Sequence, residues 1–265
     1  GLGGEEYAEN ELDKWLYLNY TVPYNIEVVY RWDAAQSYSS LSEVQLVPVE
    51  FDAVQPMMAA LRDVWFKPYI QATGNSLDFL KEVAPKKIVL VGSPEYQNGS
   101  FKLGQAEGGR KILLLNVNNF DASNENELKE ALHTIVHEFT HILHQTKLFN
   151  QEYQTISTGR YNSNWTLLND SEARHQGFIT NYAMLNKDED FAEMVSGILV
   201  FGYEWFKDTV LAEAAKSTEN PHAKADLEAK LAIVNSYFKE TWNIEFFDNE
   251  TSGEPGLESY FRMAI

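Results

Sequence analysis

The sequence predicts an α+β chain, with a small mixed sheet in its first half and a mainly helical second half built around one long helix. Three observations carry that expectation. Short runs rich in β-branched and aromatic residues stand at 25–32, 87–91 and 111–117. Stretches at 125–148, 189–216 and 222–240 repeat their apolar residues at helical steps. The first of these helices carries His137-Glu138-Phe139-Thr140-His141, whose spacing puts two imidazoles on one helical face.

Taken in order, residues 1–10 read as a flexible lead-in and 11–20 as a short helix. Residues 25–32 alternate as a strand does. Residues 53–70 carry Met57, Met58, Leu61, Trp65 and Phe66 at helical steps, with Pro68 expected to end or kink that helix. A further helix is expected over 76–83, then strands at 87–91 and 111–117, with Asn98-Gly99 and Gly108-Gly109 as turns between them. Residues 11–120 thus form a mixed part and 121–265 a mainly helical part. No repeat or long linker divides them, so one unit over 1–265 is expected.

The 125–148 helix has a start signal and a packing face. Asn124 followed by Glu127 reads as a capping pair. Leu128, Leu132, Ile135, Phe139 and Ile142 recur at steps of three and four. On this frame His137 and His141 can share one ion, and Glu138, about 100° further round, can take a proton from a water beside it. Zinc suits imidazole nitrogen and keeps a position for water when three protein ligands bind. His133 and His144 continue the same spacing, and each has an ordinary surface or capping explanation.

Composition narrows the function. A net charge of −18 disfavours nucleic acid and anionic membrane surfaces as partners. No apolar run approaches the roughly 18 residues of a membrane-spanning helix. Without cysteine there are no disulfides and no thiolate ligands, so a metal must be held by histidine and carboxylate. The opening Gly1 leaves room for a signal peptide or lipid anchor ahead of it.

A third ligand must come from elsewhere, because position 147, where an extended HExxHxxGxxH pattern needs histidine, is Lys147. Glu189 and Glu193 are the best source: four apart, they share a helical face, with small Ala192 between them. One would bind the ion and the other would fix a ligand histidine from behind. Which does which is left open by the spacing. Asp188 and Asp190 read as first-turn acids favoured by the helix dipole. The irregular run 149–177, with Tyr153, Tyr161 and Trp165, reads either as a wall of a substrate cleft or as a packed loop with core aromatics.

HExxH with Glu189-x-x-x-Glu193 resembles the gluzincin metallopeptidases. The stretch from Tyr182 to Glu193 is similar to the catalytic domain of anthrax lethal factor. That resemblance implies a zincin-like fold, zinc as cofactor, His137, His141 and Glu189 as ligands, and Glu138 as general base. It also implies Tyr182 as electrophile and Glu193 behind the ligands, whereas spacing alone leaves Tyr182 equally readable as a buried core tyrosine. The segment Asp13-Lys-Trp-Leu-Tyr-Leu-Asn-Tyr-Thr-Val-Pro-Tyr-Asn-Ile-Glu-Val-Val-Tyr-Arg-Trp32 resembles the opening of zinc-binding metallopeptidase lipoproteins of Bacteroidetes. Those are associated with TonB-dependent nutrient import, which implies a cell-envelope, outer-membrane lipoprotein acting on peptide or protein substrates beside an import complex. The lipobox cysteine of that family is not among these residues, so the anchor is an expectation.

A zinc-dependent peptidase is therefore the expected function. Its rivals are a zinc-bearing accessory lipoprotein that binds peptides or glycans for an importer, and a purely structural zinc site. An intact Glu138 favours the enzyme, since a binding site needs no base beside its ligands. The run at 111–117 offers an edge strand for an extended substrate.

Overall fold

Four short strands form the sheet: β1 (Glu27–Val29), β2 (Lys87–Leu90), β5 (Gly104–Glu107) and β6 (Lys111–Leu114), in the order β1-β2-β6-β5. The computed structural model describes residues 9–31, 46–97, 100–102, 104–107 and 110–265. The first three strands in that order are parallel, and β5 pairs antiparallel to β6 at the edge. A separate antiparallel pair, β3 (Glu95–Gln97) and β4 (Ser100–Lys102), lies between β2 and β5 in sequence. Residues 1–8 of the lead-in and the two glycine turns fall outside the described residues.

Strand alternation decides what the sheet covers. Ile88 and Leu90 of β2 pair with Ile112 and Leu114 of β6, and all four enter the main hydrophobic core. Val89 and Leu113 point the other way, where Val29 and Leu46 pack on them. Three expectations change here. β1 is shorter than 25–32, because Asn25 is left-handed at φ 56° and closes the preceding helix by donating to Thr21 O at 2.8 Å. β6 stops at Leu114, since Asn116 is left-handed and Val117–Asn119 turns as a 3₁₀ segment. The 111–117 run is also an interior strand, and the sheet edge beside it belongs to β5 instead.

The helices follow their sequence signals closely at the starts. Asn10 and Asp13 form a reciprocal capping box for Glu11–Leu16, which continues through Tyr17–Thr21 and Val22–Tyr24. Pro68 does not end its helix. Phe51–Leu61 passes through a π turn at Arg62–Phe66, where Lys67 N–H bonds Arg62 O, and runs on over Lys67–Ala72. The wider turn leaves room for a ring that would otherwise strike the preceding carbonyl. The next helix is Asp78–Val83, with Ser76 Oγ accepting from Asp78 N–H.

The long helix spans Glu125–Thr146, and Asn124 caps it by accepting from the Asn126 and Glu127 N–H groups. Glu127 reaches back three residues beyond the cap, to the Asp121 N–H at 2.9 Å. The stretch expected as one helix over 189–216 is two. Lys187–Phe201 ends at Gly202, and a second helical run begins at Tyr203. Gly202 sits at φ 93°, ψ 156°, a conformation essentially reserved for glycine, and the Tyr203 N–H there donates to Glu258 Oε1 at 3.1 Å. Ala223–Trp242 follows, closed by left-handed Asn243. A last helix, Leu257–Ala264, has no counterpart in the sequence reading. It packs on Lys187–Phe201 and Lys67–Ala72, burying Leu257 and Phe261.

The Gly202 break makes a direct prediction. Gly202→Ala places a Cβ on this backbone and lowers stability by about 1–3 kcal/mol, measured by urea denaturation. An unchanged midpoint would show that the break does not depend on glycine.

Candidate metal centre

The Glu125–Thr146 helix packs along the Lys187–Phe201 helix, and the site lies where they meet. His137 and His141, both buried, present Nε2 atoms 3.1 Å apart. Asn186 caps the second helix, accepting from the Asp188 and Glu189 N–H groups, which fixes Glu189 in the first turn. Glu189 Oε2 then lies 2.7 Å from His137 Nε2 and 2.9 Å from His141 Nε2. These three atoms form the metal-ligand group found among the described residues.

The chemistry of this donor set fits zinc. A tetrahedral ion with bonds of roughly 2.0–2.1 Å holds its ligand atoms about 3.3 Å apart, so these donors are within a few tenths of the required spacing. The electrostatics ask for a cation too. Burial raises the Glu189 carboxyl, but hydrogen bonds from His137 and His141 outweigh it and hold the group well below the usual carboxylate range. Burial opposes charge on His137, yet the bonds to Glu189 and Glu193 push its pKa up to about 10. Without an ion that charge is a proton on His137, which a metal bound at Nε2 would replace.

Glu193 sits one turn beyond Glu189 and behind the histidines. It accepts from His137 Nδ1–H at 3.0 Å, His133 Nε2–H at 2.8 Å and the Thr180 hydroxyl at 2.8 Å. The Ser196 hydroxyl donates to it at 3.4 Å. The question left open by spacing thus has a geometric answer: Glu189 faces both Nε2 atoms, and Glu193 fixes His137 so that its Nε2 lone pair faces the site.

His144 and His133 have more specific positions than surface or capping residues. His144 is 4% exposed, and its Nε2 lies 2.8 Å from His141 Nδ1. Burial and the neighbouring His141 lower its pKa to about 4, so at neutral pH it is uncharged, and its Nε2 can accept the His141 Nδ1–H when the His141 Nε2 lone pair faces the site. His133 donates to Glu193 and packs edge-on against Phe201. The four histidines at helical spacing were the available signal. Thr180 had none, since its role arises only when the 177–182 segment folds over Glu193.

Tyr182 stacks on His137, ring centroids 5.5 Å apart, and Trp165 packs on its other side at 4.9 Å. Burial, then the charges of Glu189 and Glu138, raise its hydroxyl well above the usual tyrosine range, so it stays protonated as a donor. Half-buried Glu138 is close enough for its charge to act on both His137 and Tyr182. Part of the 149–177 run is a packed loop with core aromatics. Tyr153 is buried against Phe149 and Phe191, while Trp165 backs the tyrosine at the site.

Fold and site together define a zinc-binding metallopeptidase-type protein of α+β architecture. Residues 5–247 match the family described as "Putative zinc-binding metallo-peptidase", and the chain belongs to that family. The crystal structure of a protein of the same description from Bacteroides caccae is similar, with a TM-score of 0.75 and 30% identity over 97% of this chain and 93% of that one. No curated protein matches the sequence.

The orienting roles are testable through the metal. His144→Phe and Glu193→Gln should each weaken zinc binding roughly 10–100-fold in a chelator competition. Wild-type affinity in either variant would remove that residue from the account.

Proposed function

We propose that this protein is a gluzincin-type zinc peptidase that hydrolyses peptide bonds. The observation that supports this most is the convergence of His137, His141 and Glu189, with Glu138 next to His137 on the same helix and Tyr182 against His137. Zinc held there would polarise the scissile carbonyl and lower the pKa of water towards about 7.

The remaining work falls to the chain's own residues. Glu138 accepts the proton of the attacking water as its oxygen adds to the carbonyl carbon. It then delivers a proton to the departing amine as the carbon–nitrogen bond breaks. Tyr182, kept protonated by burial and neighbouring carboxylates, donates a hydrogen bond to the developing oxyanion. Glu193 and His144 keep the two imidazoles turned the right way throughout. The edge strand β5 lies close to the Glu125–Thr146 helix and offers backbone groups along which an extended peptide can align.

We also propose that the protein works at the cell envelope as a lipid-anchored partner of a nutrient importer. The resemblance of residues 13–32 to envelope lipoproteins supports this, and acyl labelling of the full-length protein in its host tests it.

Two activity predictions follow from the mechanism. In a peptide-library digest, zinc-loaded Glu138→Gln should lose about 10²–10⁴-fold in rate while keeping its metal. Equal cleavage by both proteins would sink Glu138 as the base and the proposed mechanism with it, and cleavage by neither would leave a zinc-bearing binding module instead. Tyr182→Phe should lower kcat by roughly 10²–10³ with little change in KM, the signature of a contact made mainly in the transition state. A loss confined to KM would instead assign Tyr182 to substrate binding.

A further inference from the structure

Directly after Glu189 in the chain is a side chain with no part in metal binding, and it is completely buried. Asp190 pairs with Lys230 at 2.9 Å, and both side chains are 0% exposed. Lys230 comes from the middle of Ala223–Trp242, a helix that contributes nothing to the ligand group. Its ammonium also donates to the Gly177 carbonyl at 2.8 Å and lies 4.0 Å over the Phe178 ring. Tyr161 donates to the same Asp190 oxygen at 3.0 Å.

Stability alone is a poor reason for this cluster. Removing an ammonium and a carboxylate from water costs several kcal/mol per ion, and apolar replacements of similar size are often as good or better. What an ion pair adds is directional constraint, because its partners must meet at one distance and angle. The groups that Lys230 joins are the ones whose placement matters to the metal. Asp190 sets the rotation of the Lys187–Phe201 helix about its axis, and Glu189 is one residue away, about 100° round. Gly177 begins the segment that carries Thr180 to Glu193 and Tyr182 to His137. Gly177 itself is left-handed at φ 93°, which turns the chain out of the Asp170–Gln176 helix at this point.

We infer that Lys230 is a positioning residue for the metal centre: one buried ammonium holds the Glu189 helix and the 177–182 segment in the register at which ligand, orienting and donor side chains converge. It touches neither substrate nor metal. It acts through Asp190 and through the Gly177 carbonyl. The inference rests on the ligand assignment above.

The test measures zinc affinity by chelator competition and the visible spectrum of the cobalt(II) form, in the full chain. Lys230→Met removes the ammonium, and Asp190→Asn with Lys230→Met removes both charges so that no lone ion stays buried. Val234→Ala, a core cavity on the same helix, controls for general destabilisation. The expected result is zinc binding weakened roughly 10–100-fold in the charge-neutral double variant, with an altered cobalt spectrum, against less than about a threefold change in Val234→Ala. Wild-type affinity and spectrum in a folded Lys230 variant would overturn the inference. An equal loss in Val234→Ala would overturn it too, as would failure of both Lys230 variants to fold with zinc present, since each makes the pair a matter of folding only. His137→Ala separates the two levels: if it keeps its zinc, the ligand assignment itself is wrong, whereas if only the Lys230 variants keep theirs, the positioning role alone fails.

Discussion

Everything at this site depends on how two helices lie side by side. Glu125–Thr146 supplies both imidazoles, Lys187–Phe201 supplies both carboxylates, and they share no hydrogen-bonded backbone. Their relative rotation is therefore set by side-chain packing and by the groups that cross between them. Ala192, Gly197 and Ser196 keep the second helix slim. At Gly197 an added Cβ would come within 2.9 Å of Ile179 Cδ1, so this face of the helix is pressed by the segment that leads to Thr180. Where two helices must bring oxygen and nitrogen atoms to about 3 Å, small residues and close packing are what permit it.

Around that contact the polar groups are arranged in successive rings. Glu189 meets the Nε2 atoms, Glu193 and His144 hold the Nδ1 atoms, and His133, Thr180 and Ser196 satisfy Glu193. No buried side-chain polar atom in this chain of contacts lacks a partner, which limits how the imidazoles can turn. The two histidines that face Glu189 are held differently, His137 by a carboxylate and His141 by an imidazole. His137 thereby gains electron density from a charged partner that His141 lacks.

The rest of the fold serves as a support for this pair. The sheet presents Ile88, Leu90, Ile112 and Leu114 to the core beneath the long helix. The terminal helix Leu257–Ala264 fills the space beside Lys187–Phe201 and reaches Gly202 through Glu258. The irregular 149–184 region is ordered by short polar links, among them Asn162 N–H to Met184 O and Tyr161 to Asp190, which carry its order into the site.

Much of this was legible from local residue patterns. HExxH on an apolar-faced helix, the Asn124 cap and the Glu189/Glu193 spacing are local features, and local physics places them as observed, while the strand runs at 25–32 and 111–117 are in the right places but too long. Residue spacing determined that two histidines and one glutamate of a pair could meet an ion, because helix geometry is the same everywhere. Only tertiary structure decided which glutamate meets the Nε2 atoms, that His144 and His133 stand behind the ligands, and that β5 rather than β6 is the edge. It also decided the helix break at Gly202 and the buried Lys230–Asp190 contact, 40 positions apart by numbering. These follow from the relative placement of distant segments, which packing sets and residue spacing within one helix cannot encode.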